Sequence, residues 1–175
     1  SNPTLSSAGG NDVAIVKFNQ AGDHQWSKRI GSSLEENTWS IDVDHLGNPV
    51  LTGIYTGTVD FDPGSGTTSY TSTGNTDMFT LKLEADGNFE WATSVGSPNA
   101  DLARWITTDA AGNIYTTGNF RGPVDFDPGA GMDGRVAAGG IDIFVQKLDN
   151  DGNYVWTKTI GGTGDDYGLA LDHNA

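Results

Sequence analysis

The chain has 175 residues, of which 25 are Gly and 35% apolar, a composition that suits short strands joined by tight turns. Its 23 acidic against 9 basic residues give a net charge of −14, so it lacks the concentrated Lys/Arg surface that a nucleic-acid partner requires. With no cysteine it forms neither a disulfide nor a thiolate zinc site, and no stretch approaches the roughly 18–20 apolar residues of a membrane helix.

The N-terminal SNPTLSSAGG has no charged-then-apolar leader pattern, and any export signal is expected outside these residues. From there the predicted elements are strands. Residues 12–18 and 24–30 read as a hairpin about Ala21-Gly22-Asp23. Residues 39–44 and 50–55 read as a second about Leu46-Gly47-Asn48, since Gly and Asn accept the positive φ such turns need. Residues 56–74 form an excursion holding VDFDPG and the polar TSYTST. Residues 77–83 and 89–95 then flank Asp86-Gly87-Asn88. The series repeats with 105–109, 114–120, a second VDFDPG at 124–129, 142–148 and the turn Asp151-Gly152-Asn153, and 167–172 reads as one further strand. No window carries helical apolar spacing free of interrupting turns.

The succession is periodic. Trp26, Trp91 and Trp156 stand 65 residues apart, as do Lys17, Lys82 and Lys147, and Gly22, Gly87 and Gly152. Each copy is one supersecondary unit that cannot bury its apolar face alone, so copies must stack. Two hairpins per copy make the four-stranded antiparallel sheet of a β-propeller blade, and the expected class is all-β with a 65-residue blade repeat. The predicted organisation is an outer half-blade over 1–37, blades over 38–101 and 102–166, and the inner strand of a further blade over 167–175. Propellers close with about 4 to 8 blades, so the ring is incomplete. Further repeats of the same array, or a second copy of the chain, would complete it. The three tryptophans are expected to fill the joints between blades.

The string D-x-F-x-x-K-L-x-x-x-G-N-x-x-W at 142–156, with GNIYTTGNF at 112–120 and VDFDPG at 124–129, resembles the bacterial SBBP-type β-propeller repeat. The resemblance covers nearly the whole chain and implies a large secreted or cell-surface protein. The first copy departs from it, with Ala14 where later copies have Phe79 and Phe144.

Asp60, Asp62, Asp125 and Asp127 are the candidate metal ligands, because alternation along a strand would put each pair on one face and hard oxygens near a Gly turn suit calcium. Asp-Pro-Gly is equally a turn signal in which the Asp caps its own backbone. The cluster from Asp149 to Asn153 lacks the later acid of a calcium loop and reads as a hairpin turn. The recurring lysines are expected to pair with Asp12, Asp77 or Asp142 or to face solvent. Trp39 and Trp105 are candidate carbohydrate-stacking residues. They differ by one position in the repeat, which reverses the strand face and excludes a repeated platform, and filling the core is the competing use. His24, His45 and His173 fall at unrelated phases with no nucleophile or metal motif, so no catalytic residue is assigned. The expected function is a non-catalytic scaffold or interaction module with protein or glycan ligands and no membrane insertion. The alternatives are a carbohydrate- or calcium-dependent adhesion module, or an enzyme with its site at a central channel.

Overall fold

The computed structural model describes residues 4–172. Among them the chain forms strands β1 (Val13–Phe18), β2 (His24–Ile30), β3 (Glu36–Val43), β4 (Pro49–Tyr55), β5 (Thr58–Asp60), β6 (Ser69–Thr71), β7 (Asp77–Leu83) and β8 (Phe89–Val95). It continues with β9 (Leu102–Thr108), β10 (Ile114–Phe120), β11 (Pro123–Asp125), β12 (Gly134–Val136), β13 (Asp142–Leu148) and β14 (Tyr154–Ile160), and no helix is found among the described residues.

Two four-stranded antiparallel sheets result, ordered β3-β4-β7-β8 and β9-β10-β13-β14. The β1–β2 hairpin stands alone, and each excursion is its own small hairpin, β5–β6 and β11–β12. Outside the strands, isolated parallel bridges join Thr76 to Ala100 and Ile141 to Asp165, at equivalent positions of successive copies.

Side-chain alternation explains how the sheets stack. Both faces of β7 are covered, and all seven of its residues are buried, whereas β13 is buried at every second position. The apolar clusters lie between successive units: Val13, Ile15 and Ile30 meet Leu51, Phe79 and Leu81, and Val50 meets Ile106, Ile114 and Leu148. Each copy therefore finishes its core against the next, as a repeat that cannot bury its own face must.

The expected strand over 167–172 does not form. Asp166 N–H donates to the Ile141 carbonyl at 2.7 Å, and the chain then runs past Gly118 and Ile143 at Gly168 without entering a ladder. A strand needs the regular ladder of a paired neighbour, and residues 167–172 belong to no strand pair among the described residues.

Candidate functional site

The repeated Lys and Trp form one device. Lys17 faces Trp26, Lys82 faces Trp91 and Lys147 faces Trp156 across their hairpins. Lys17 Nζ donates to the Ala85 carbonyl at 2.5 Å, and Trp26 Nε1 donates to that same oxygen at 3.1 Å. One copy later, Lys82 Nζ reaches Asn150 at its carbonyl (3.2 Å) and Oδ1 (2.7 Å), while Trp91 Nε1 takes the same carbonyl at 3.1 Å. An ammonium and an indole thus hold the turn of the following copy. Gly87 and Gly152, at φ of 86° and 81°, make that turn possible. A Cβ there would lie within 3.0 Å of the Trp26 or Trp91 ring. The expectation that the indoles fill the joints holds for Trp26 and Trp91.

The reading of the lysines is corrected. Lys82 is wholly buried, with Asp44 Oδ2 and Glu90 Oε1 each 3.3 Å from its Nζ. Asp12, Asp77 and Asp142 instead accept the backbone N–H four residues earlier, from Ala8, Thr73 and Ala138 at 2.7, 2.9 and 2.8 Å. Lys147 lies over the Tyr115 ring at 5.0 Å. The signal for this device was in the sequence as a Lys and a Trp keeping the same step; the partner carbonyls, 59 and 68 residues away, were not.

The VDFDPG segments are plugs as well as turns. Val59 and Phe61 in the first, and Val124 and Phe126 in the second, are buried. Strand β5 ends at Asp60, so Asp62 lies in the loop and strand alternation does not pair the two carboxylates on one face. Asp60 Oδ1 accepts the N–H groups of Asp62 (3.1 Å) and Thr68 (2.8 Å), and Asp62 Oδ1 accepts that of Gly64 at 2.7 Å. Asp125 and Asp127 repeat the arrangement on Asp127, Asp133 and Gly129. These oxygens are engaged as turn acceptors, and no group of three or more acidic or histidine residues suited to a metal occurs among the described residues. Asp60→Ala is expected to lower the unfolding free energy by about 1–2 kcal/mol, equally in calcium and in chelator, as measured by urea denaturation. A loss confined to calcium buffer would restore the metal reading.

A second acid turn recurs as D-x-x-G-N. Asp44, Asp109 and Asp149 each accept the N–H groups two and four residues on through Oδ1, and the Asn amide four residues on through Oδ2. Burial acts to raise all three carboxyls, yet these hydrogen bonds, joined at Asp44 by Lys82, hold them below the usual carboxylate range. A depressed carboxyl contributes stability that is present above its unfolded pKa of about 3.9 and lost as pH falls through its folded value. The urea midpoint should therefore hold from pH 7 to about 5 and fall below about pH 4. Asp44→Asn should flatten that fall.

Trp39 and Trp105 lie on β3 and β9 and are 45% and 42% exposed, so neither fills the core. Both strands bulge at the same repeat position. Trp39 is skipped between the Thr38–Gly53 and Ser40–Thr52 pairs, and Arg104 between the pairs formed by Ala103 and Trp105. The bulge breaks the alternation on which the expectation rested. The Arg104 guanidinium lies 5.3 Å from the Trp39 ring centre, and the two indoles line one open concavity with Ser40, Asp42 and Ile106. Its walls are stitched together, because Ser40 Oγ accepts Ile106 N–H at 3.2 Å and Asp42 Oδ2 accepts Thr108 N–H at 2.7 Å. Edge-strand N–H groups are thereby satisfied across the joint.

Among the histidines, exposed His24 has Nε2 2.6 Å from Ser27 Oγ on the β1–β2 hairpin, and His45 is exposed in the β3–β4 turn. His173 lies outside the described residues.

The fold and joints define an all-β repeat protein of stacked four-stranded antiparallel sheets. It is similar to an uncharacterized WD repeat-containing protein, L264, of Acanthamoeba polyphaga mimivirus, with 25% identity over 179 residues covering 91% of this chain and 12% of that protein. It is also similar to the regulatory protein FlaEY of Caulobacter vibrioides, with 25% identity over 151 residues covering 80% of this chain and 16% of that protein. The chain spans less than a fifth of the length of either relative. No protein-family model matches it.

Proposed function

We propose that the chain is a run of β-propeller blades of the SBBP-repeat type serving as a non-catalytic scaffold or interaction module in a secreted or cell-surface bacterial protein. The observation that carries this reading is the repeated Lys-Trp clamp, in which each copy grips the turn of the next through the same two donors. Such joints suit a stiff spacer, since repeat stability resides in nearest-neighbour interfaces. A likeness to a WD repeat-containing protein agrees with a propeller whose work is protein interaction. Small-angle scattering tests the stiffness: the measured curve should match the stacked sheets as one body. A curve requiring hinges between copies would reject the scaffold reading. Surface-protease shaving of cells bearing the parent protein tests location, and protection of the chain in intact cells would exclude display.

A second reading rests on the Trp39–Trp105 concavity, where two half-exposed indoles and Asp42 offer the stacking face and polar acceptor a sugar ring uses. A glycan-array signal abolished by Trp39→Ala and by Trp105→Ala would promote it to the principal function.

A further inference from the structure

The Lys-Trp clamp is closed at two joints and open at a third place. Lys147 and Trp156 face each other as Lys82 and Trp91 do, yet neither Lys147 Nζ nor Trp156 Nε1 donates a hydrogen bond among the described residues. Lys147 lies over the Tyr115 ring, and Trp156 meets that ring edge-on at 6.2 Å. The face around them is open where its counterpart is shut. Met78, Thr80 and Lys82 of β7 are buried, whereas Ile143, Val145 and Lys147 of β13 are half-buried. Val95 is 8% exposed and its counterpart Ile160 is 60% exposed. The inner part of the face is already covered, because Gly168 lies against Ile143 as Ala103, at the matching position, joins Met78 in one apolar cluster. A joint built like the one before it next needs an outer hairpin.

The opposite end of the stack has such a hairpin. The β1–β2 pair belongs to no four-stranded sheet, and its Val16 and Phe18 are 40% and 53% exposed where Leu81 and Leu83 are wholly buried. Its turn is folded like a clamped one. Asn19 Oδ1 accepts the N–H groups of Ala21 (2.9 Å) and Asp23 (2.8 Å), as Asp149 Oδ1 accepts those of Asp151 and Asn153. Gly22 N–H donates to the Asn19 carbonyl at 3.0 Å, and Gly22 has a φ of 85°. Gln20 stands where Ala85 and Asn150 stand in the later repeats, exposed, and its carbonyl accepts no hydrogen bond among the described residues. A Cβ on Gly22 would meet nothing within 4 Å, whereas one on Gly87 or Gly152 strikes an indole. The turn lacks its tryptophan, and Trp156 lacks its turn.

We infer that the Lys147–Trp156 face is a docking surface for the β1–β2 hairpin of a second copy of this chain, whose Gln20 carbonyl takes both donors. The argument is continuity with the two joints inside the chain, and it deepens the scaffold reading, on whose clamp it rests. Unlike surfaces meet in this contact, so copies add head to tail until a ring closes. Ala14, standing where Phe79 and Phe144 do, gives the contact less apolar burial than an internal joint has.

Sedimentation equilibrium of the whole chain between about 1 µM and 1 mM tests the contact. The weight-average mass should rise with concentration above the 18.4 kDa of one chain. Gly22→Asn keeps a residue that accepts positive φ and obstructs the approach of Trp156. The Lys147→Met, Trp156→Phe double variant keeps both stems and removes both donors. Each should weaken association by about tenfold or more. Mixed together, the two should form a complex of two chains and nothing larger, because one retains the intact face and the other the intact hairpin. A constant monomer mass across the range in the unaltered chain overturns the inference, whether or not the variants fold. Association that neither variant weakens, or variants that fail to complement on mixing, overturns it as well, since the contact would then lie elsewhere or join like surfaces. A strict monomer whose scattering still fits one stacked body would reject this docking and leave the scaffold reading standing.

Discussion

Lys82→Met is expected to lower the unfolding free energy by about 3–5 kcal/mol, the cost of removing one partner from a buried charge cluster. Met keeps the length and most of the volume of the lysine stem, so the loss is electrostatic more than steric. What it strands is specific. Asp44, whose side chain is wholly buried, loses its ammonium, and Asn150 loses two of the hydrogen bonds that tie the β13–β14 turn to β7. Lys17→Met is the internal control. Lys17 is half-buried and grips Ala85 by a carbonyl alone, so its loss should cost about 0.5–1.5 kcal/mol. Urea denaturation of both variants measures the difference. Equal effects would mean that the cluster around Lys82 is no more than a surface contact. Because Lys82 also helps hold the Asp44 carboxyl below its usual range, its replacement brings that group nearer its unfolded value and should shrink Asp44's share of the acid fall in stability.

Phe126→Ala should cost about 3–5 kcal/mol, and Phe61→Ala about the same. Both rings are wholly buried. Phe61 meets Tyr55 edge-on at 5.2 Å and Phe79 at 5.0 Å, and Phe126 meets Phe120 edge-on at 5.2 Å and Phe144 at 5.1 Å. Each ring pins an excursion hairpin onto the sheet that it leaves. Gln146 Nε2 reinforces the second by donating to the Phe126 carbonyl at 2.7 Å. Truncation leaves a cavity lined by rings that cannot collapse into it, since they are held by separate strands. The two rings belong to different apolar clusters, so the double variant should lose the sum of the single losses within about 0.5 kcal/mol by urea denaturation. Marked non-additivity would show that the sheets unfold as one tightly coupled core.

These expectations rest on features that the sequence displayed without explaining. VDFDPG was visible as a repeated string, and its Asp-Pro-Gly half is turn chemistry readable locally, because an Asx acceptor and its N–H donor are two residues apart. Its Phe was not legible as a core residue, since nothing within the segment reveals that Tyr55 and Phe79 surround it. Trp39 failed for the opposite reason. Strict alternation is a sound local rule until a bulge inserts a residue, and the bulge is enforced across the sheet at Gly53, where a Cβ would strike the Asn37 carbonyl.

By itself the sequence determined the period of 65 and, apart from the strand expected over 167–172, the main strands and turns of each copy, with no helix among the described residues. Turn chemistry and alternation act over a few residues, so they are written where they operate. The tertiary structure alone decided that Lys82 is buried and that Trp39 and Trp105 face one concavity. Each depends on which copy packs against which, for Trp39 and Trp105 are 66 residues apart in the chain and Lys82 and Asn150 are 68. Contacts at that separation are fixed by the stacking of whole sheets, whose faces must be covered by neighbours because no copy can cover its own.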